Sequence, residues 1–333
     1  MKTLVLTPFS TSGLAALGEL GEVIYEPWTD TQEIHDPEEL GQRIAAERID
    51  TLVVEIDFLL EELFDSAPGL RFTAICRGAL NQVDLEAATD RGVVITHTPG
   101  RNAQAVAELV LGLMFSLARH LPQARSFVVD GHWEDPTEAY IRFQGRELSG
   151  ATIGLIGLGQ IGGRVAQLAR AIGMRVLAYD PYVSHSIQAD SGLMLVDLNT
   201  LLCSSDFISI HVPESTETTG LINATAIAKM RDGAYLINVT SPSVVDRDSL
   251  VYALRASKLA GAAMDVHDSH PLAPDSPFLG MVNVLQTPHI GGATRETIER
   301  HSAMVVEDIR RFERGLKPVN LANPSVWTKR RKL

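Results

Sequence analysis

The stretch Thr152-Ile153-Gly154-Leu155-Ile156-Gly157-Leu158-Gly159-Gln160-Ile161-Gly162 decides how the rest of the chain is read. A short apolar run, Thr152 to Ile156, leads straight into G-x-G-x-x-G. A glycine-rich turn without a ligand shares that motif, but not the context found here. Apolar residues follow at Ile161, Val165, Leu168 and Ile172, in steps of four, three and four, so they share one helix face. Gly173 stands where a left-handed helix stop is expected. The next strand-like run ends at Asp180, about twenty residues beyond the glycines, as a dinucleotide fingerprint requires. In that reading Gly157 permits the tight turn, Gly159 lets a pyrophosphate approach the backbone, and Gly162 allows close helix–strand packing. Gln160 and Ile161 open the helix, whose free N–H groups face the phosphates. Asp180 would accept hydrogen bonds from both ribose hydroxyls of NAD and repel the 2′-phosphate of NADP. No Arg stands beside it to compensate. The motif therefore predicts NAD as cofactor, preferred over NADP.

Outward from this motif, short apolar runs alternate with helix-period segments, the pattern of parallel βαβ units. Upstream, strands are expected at 4–6, 51–54, 73–76 and 93–96. Beyond residue 151 they are expected at 152–156, 175–179, 207–210, 235–238, 262–266 and 282–285. A helix from about 103 to 121 is predicted, with Asn102 as its N-cap and Pro122 closing it. It is apolar around most of its circumference, which demands a second surface to bury it. A last helix is expected from about 295 to 315.

Composition narrows the function classes. The 333 residues suit two domains, and the net charge of −12 argues against a nucleic-acid surface. The only basic cluster, Lys329-Arg330-Arg331-Lys332, reads as a solvated, frayed end. Cys76 and Cys203 lie among apolar neighbours and are expected to be buried thiols of a reducing compartment. The N-terminal apolar run is too short for a signal peptide, and no uninterrupted apolar segment is long enough to span a membrane. A soluble, cytoplasmic protein acting on a small molecule is expected, with neither nucleic-acid nor membrane partner.

Several further stretches extend the pattern. They are Asn102-Ala103-Gln104-Ala105-Val106-Ala107-Glu108, the His211-Val212-Pro213 triplet closing 206–213, Asp265-Val266, Thr287-Pro288-His289-Ile290-Gly291-Gly292, and Asn323-Pro324. In this order, with the glycine motif, they resemble the D-2-hydroxyacid dehydrogenase family, to which phosphoglycerate, glycerate and D-lactate dehydrogenases belong. The resemblance runs from about Cys76 to Pro324. It implies an α/β chain in which a Rossmann NAD-binding domain, 100–295, is inserted into a flavodoxin-like substrate domain, 1–99 and 296–333. It also implies a homodimer built around the helix near 103–121. Further cofactor contacts are implied for Val212, Val239, Thr240, Asp265, Gly291 and Gly292.

The family's chemistry uses an Arg that holds the substrate, a His that exchanges the proton, and a Glu bonded to that His. The His matches His289, whose ordinary titration range suits general acid–base work. The other two positions depart. The Arg position is Ser241, in Asn238-Val239-Thr240-Ser241-Pro242, and one hydroxyl replaces five donors and a permanent charge. Pro242 removes an N–H and biases Ser241 toward an extended backbone. The Glu position is His270, and a second imidazole would not favour a protonated His289 as a carboxylate does. Asp268 is a candidate substitute, and Arg77, Arg101 and Arg295 are candidates to hold a carboxylate. His267, His270, His289 and Asp268 have a spacing that permits a metal without specifying one, and no metal is expected. Three functions fit these residues: a dehydrogenase with an altered catalytic site, an NAD-binding enzyme of different chemistry or substrate class, and an NAD(H)-sensing protein without turnover.

Overall fold

The computed structural model describes residues 1–183 and 192–331. The chain divides into two compact units, Met1–Arg101 with Thr294–Leu333, and Asn102–Ala293. Each is built on a parallel sheet.

The first unit carries β1 (Lys2–Val5), β2 (Glu22–Tyr25), β3 (Thr51–Val54), β4 (Phe72–Ile75) and β5 (Val94–His97). Their order is β2-β1-β3-β4-β5, the flavodoxin-like order. The strands β3 and β4 are buried along their whole length, as a sheet covered on both faces requires. The strand β2 escaped the sequence reading because it is a half-exposed edge whose run is bracketed by Glu22 and Glu26. The last helix, Arg295–Glu313, is capped by Thr294, which accepts the Thr297 N–H. As far as Arg331 the basic tail is held, not frayed. Arg331 donates to the carbonyls of Ala67, Pro68 and Leu70, and the Arg330 guanidinium lies 3.8 Å from the Trp327 ring centroid. Lys332 lies outside the described residues.

The second unit carries β6 (Thr152–Ile156), β7 (Arg175–Tyr179), β8 (Met194–Leu195), β9 (Phe207–Ile210), β10 (Ala234–Asn238), β11 (Leu259–Met264) and β12 (Val284–Gln286). Their order is β12-β11-β10-β9-β6-β7-β8. Counted within this unit, that is the doubly wound order 3-2-1-4-5-6 with a seventh strand added. Its switch point lies between β6 and β9, and sheets of this order bind ligands beyond the C-terminal strand ends at that point.

The long apolar helix is shorter than expected, Ala103–Ala118. His120 takes a left-handed backbone with φ 52°, and a second helix, Leu121–Val129, departs at 61°. Pro122 therefore sits in the first turn of a new helix, where its missing N–H is harmless, instead of closing the old one. Asn102 makes no side-chain cap. Much of the helix's apolar surface is buried within its own unit: Val110, Leu113, Met114 and Leu117 join one core with Ile153, Val165 and Ala169. Cys76 is buried as expected, but Cys203 is exposed, because it falls on the outer side of a short helix, Leu198–Ser204. Among the described residues no single helix is long and apolar enough to cross a membrane, though the bent pair of helices at 103–129 passes by length and composition.

Candidate functional site

The residues that sequence assigned to the cofactor and to proton exchange lie at the C-terminal edge of the seven-stranded sheet, whereas Arg77, Arg101 and Arg295 belong to the first unit. At the end of β6, Gly157 has φ +95°, which a side chain would strain. Its N–H donates to the Tyr179 carbonyl at 2.8 Å. A Cβ on Gly162 would come within 2.1 Å of the Gly157 carbonyl oxygen, so helix and turn touch backbone to backbone. A Cβ on Gly159 would meet nothing within 4 Å. Gly159 thus needs no glycine for the fold itself, yet it stands over the first turn of the helix Gln160–Ala171, which no side chain caps. Those N–H groups and that open space fit an anion resting on the backbone. Gln160 is exposed beside it, whereas Ile161 turns into the core.

Asp180 follows β7. One carboxylate oxygen accepts the Leu158 N–H at 2.8 Å and the other the Tyr182 N–H at 2.9 Å. Asp180 therefore closes the glycine turn and keeps lone pairs for a ribose. His211 and Val212 follow β9 and lie against Gly157, with the Val212 methyl 3.0 Å from the position of a Cβ there. The His211 ring is buried with neither nitrogen partnered among the described residues, and burial pushes it down to about 3. It is neutral at pH 7, and sequence reading had given it no role.

Asp265 directly follows β11 and is 2% exposed. One of its oxygens accepts the Ile290 N–H at 2.8 Å and the Thr287 hydroxyl at 2.6 Å, and the other accepts the Gly291 N–H at 2.7 Å. The loop so held carries His289 with a left-handed backbone, φ 57°. Gly291 must be a glycine, since a Cβ would lie 2.9 Å from the Asp265 carboxylate, while Gly292 packs loosely on Asn102. The Nδ1 of His289 meets the Nε2 of His270 at 3.2 Å. His267 faces the Thr287 carbonyl instead, at 2.8 Å, and Asp268 turns to Arg247 at 3.7 Å, so neither joins the pair as sequence allowed. Among the described residues no three His, Cys, Asp or Glu side chains converge as metal ligands.

Beyond β10, Ser241 is extended, φ −146° and ψ 139°, as its proline neighbour requires, and Pro242 starts a 3₁₀ turn. Asn238 ties the loop, donating to the Ser241 carbonyl at 2.8 Å and accepting the Thr240 N–H at 3.2 Å. Val239 packs against the core. The Ser241 hydroxyl donates to Glu214 at 2.8 Å, a contact that sequence did not suggest because the two are 27 positions apart. Only the adjacency of β9 and β10 joins them. In the first unit, Arg101 is engaged by Glu55 and by Nδ1 of His301, which removes it as a carboxylate clamp. Arg295 is exposed at the start of its helix, and Arg77 is half-buried after β4.

Residues 111–291 match the model of the D-isomer specific 2-hydroxyacid dehydrogenase, NAD binding domain. The chain belongs to the D-isomer specific 2-hydroxyacid dehydrogenase family. It is 36% identical to the YoaD protein of Bacillus subtilis over 325 residues, covering 96% of this chain and 93% of YoaD. It is 41% identical to a D-3-phosphoglycerate dehydrogenase of Archaeoglobus fulgidus over 266 residues, 80% of this chain but 50% of that enzyme. The crystal structure of the TT0316 protein from Thermus thermophilus superposes with a TM-score of 0.84 at 34% identity, covering 97% of this chain and all of that one. The second unit is accordingly an NAD-binding domain of this family.

The glycines separate fold from binding. Gly159→Val should leave the melting temperature near wild type and weaken NADH binding at least tenfold, whereas Gly162→Ala should lower both. Thermal melts paired with fluorescence titration of NADH check this. Unimpaired NADH binding by Gly159→Val would remove Gly159 from the cofactor cradle.

Proposed function

We propose that the protein is an NAD-dependent oxidoreductase that interconverts a 2-hydroxy acid and a 2-oxo acid, with a catalytic set altered from that of its family. The observation that carries this reading is the His289–His270 pair, on a loop held by the buried Asp265 at the same C-terminal sheet edge that carries the glycine cradle. A nicotinamide bound at this edge would supply or accept the hydride. With Nδ1 turned to His270, His289 exchanges the proton with the substrate oxygen through Nε2. The bond between the rings needs one nitrogen to donate and one to accept. It therefore fixes the orientation of His289 while the pair carries at most one extra proton, and it is lost when both rings are charged. A family Glu would accept that bond and stabilise the charged ring; His270 orients His289 without that electrostatic support. Ser241, in the place of the family Arg, supplies no positive charge. These replacements predict slow reduction of simple 2-oxo acids.

Gly157, Gly159, Gln160 and Gly162 hold the pyrophosphate in this reading, and Asp180 the adenosine ribose. Val212, Val239, Thr240, Gly291 and Gly292 border the cofactor. The unit formed by the chain ends takes the role of substrate domain. The two cysteines, one buried and one exposed, are both free, in keeping with a cytoplasmic setting.

The assembly proposed is a homodimer. The helix Ala103–Ala118 is largely buried in its own unit, so the support lies in the segment beyond it. Val128, Val129, Trp133, Tyr140 and Ile141 are 53%, 65%, 58%, 80% and 74% exposed, an apolar surface that a monomer would leave in water. Sedimentation of wild type should give a dimer and Ile141→Asp a larger monomer fraction; a monomeric wild type at micromolar concentration contradicts the proposal.

The experiment that tests the function monitors NADH oxidation over a panel of 2-oxo acids. Measurable but slow turnover is expected, abolished in His289→Ala and raised at neutral pH in His270→Glu. NADH should bind better than NADPH, with the preference reduced in Asp180→Ala. NADH binding with no turnover of any 2-oxo acid would instead support a cofactor-sensing protein.

A further inference from the structure

The two connections between the units are short, and each is flanked by held residues. The first runs from Arg101 into the helix Ala103–Ala118, with Asn102 alone between them. The second runs from Gly291, whose N–H is held by Asp265, to Thr294, which caps the last helix. Gly292 and Ala293 lie between, and two residues give the chain little reach. The His289 loop is therefore fixed in the second unit by Asp265 and continues, within a few residues, into the last helix of the first unit.

The start of that helix is held by polar groups. Its buried apolar residues begin at Val305 and continue through Val306, Ile309 and Phe312. Before them the buried residues are Thr297, His301 and Ser302. Arg300 Nε donates to the Arg101 carbonyl at 2.7 Å, and the Ser302 hydroxyl accepts the Ser10 N–H at 2.9 Å. His301 Nε2 lies 2.8 Å from the Pro8 carbonyl, which can only accept, so Nε2 carries the proton. Nδ1 then accepts from the Arg101 guanidinium at 2.7 Å. Burial, with the Arg101 charge beside it, holds the His301 ring below its usual titration range, so it is neutral at pH 7. The rest of the Arg101 fork meets Glu55, whose carboxylate also accepts the Thr7 hydroxyl at 3.0 Å and Trp28 Nε1 at 3.3 Å. One guanidinium thus ties the first connection to the loops after β1 and β3 and to the start of the last helix.

We propose that Arg101, acting through His301, is a positioning residue for proton exchange at His289. The clamp fixes the first turns of the last helix, and with them the far end of the His289 loop. Asn102, Gly292 and Ala293 are left to absorb any movement between the units, as hinge positions do. This inference rests on the oxidoreductase reading above and adds to it a group that touches neither the hydride nor the proton.

The test follows NADH-dependent reduction of pyruvate, glyoxylate and 2-oxohexanoate by Arg101→Lys, His301→Leu and His301→Gln. Lysine keeps a charge for Glu55 but cannot bridge two partners as a planar fork does. Leucine removes the Nδ1 acceptor, whereas glutamine offers both an acceptor and a donor. For the acid that wild type reduces, kcat should fall about tenfold in Arg101→Lys and His301→Leu and return to within about threefold in His301→Gln. NADH affinity should stay within about twofold of wild type, because the glycine cradle is built within the second unit. The ring-nitrogen NMR signals of His270 and His289 should shift in the first two variants, although Arg101 and His301 belong to the other unit. The two variants break the clamp independently, so if one fails to fold the other decides. A clamp that only stabilises the fold would lower the melting temperature and leave kcat and the ring signals unchanged. That result overturns the inference and leaves the oxidoreductase reading intact. If wild type reduces none of the three acids, the oxidoreductase reading falls, and unshifted ring signals overturn the positioning role as well.

Discussion

The buried carboxylate of Asp265 is the interaction on which the site depends. It accepts two backbone N–H groups and one hydroxyl from a single loop, all within 2.8 Å. Without it, the Ile290 and Gly291 N–H groups would lose their acceptor, and each such loss costs about 1–3 kcal/mol when the group is buried. That is the scale needed to hold His289 in a left-handed backbone, which side chains other than glycine adopt rarely. Asp265 is thus foremost a positioning residue. Its carboxylate oxygens are turned to the protein, so in the proposed reading it acts on the cofactor through the loop it holds.

From Asp265 the organisation spreads along the strand ends. Its N–H ties β11 to the Asn238 carbonyl, and the Asn238 side chain ties the Ser241 loop. On the other side of the switch point, Asp180 closes the glycine turn by accepting the Leu158 N–H. Asp180, Asn238 and Asp265 therefore act alike: each lies at a strand end and uses a short polar side chain to fix a loop of that edge, Asn238 the loop after its own strand, Asp180 the glycine turn after β6, and Asp265 the loop after β12. Loops fixed this way can carry chemistry at an edge where the sheet ladder no longer satisfies the backbone.

Most of the dinucleotide half was legible in the sequence because its constraints are local. The turn at Gly157, the contact at Gly162 and the stop at Gly173 each demand a residue without a side chain, and the chain supplies one at each. The less legible features depend on contacts distant in sequence or on which side of an element faces water. Glu214 meets Ser241 only because β9 lies beside β10. The strand β2 is an edge with a weak apolar pattern, and Cys203 sits on the solvent side of its helix. The break at His120 was hidden because the apolar composition continues through it, while Pro122 marks a helix start as readily as an end. Ser241 and His270 were visible as residue types. Their consequences became visible only with the partners, Glu214 for one and His289 for the other.

The most direct measurement of this account is single-turnover oxidation of bound NADH by Asp265→Asn, with the NADH affinity determined on the same protein. An asparagine can replace one acceptor but presents N–H groups where the second is needed. If Asp265 acts by holding the His289 loop, NADH should bind within about fivefold of wild type while the single-turnover rate falls by about a hundredfold, the effect of some 2.7 kcal/mol. A variant that loses NADH affinity yet turns over at the wild-type rate when saturated would contradict it.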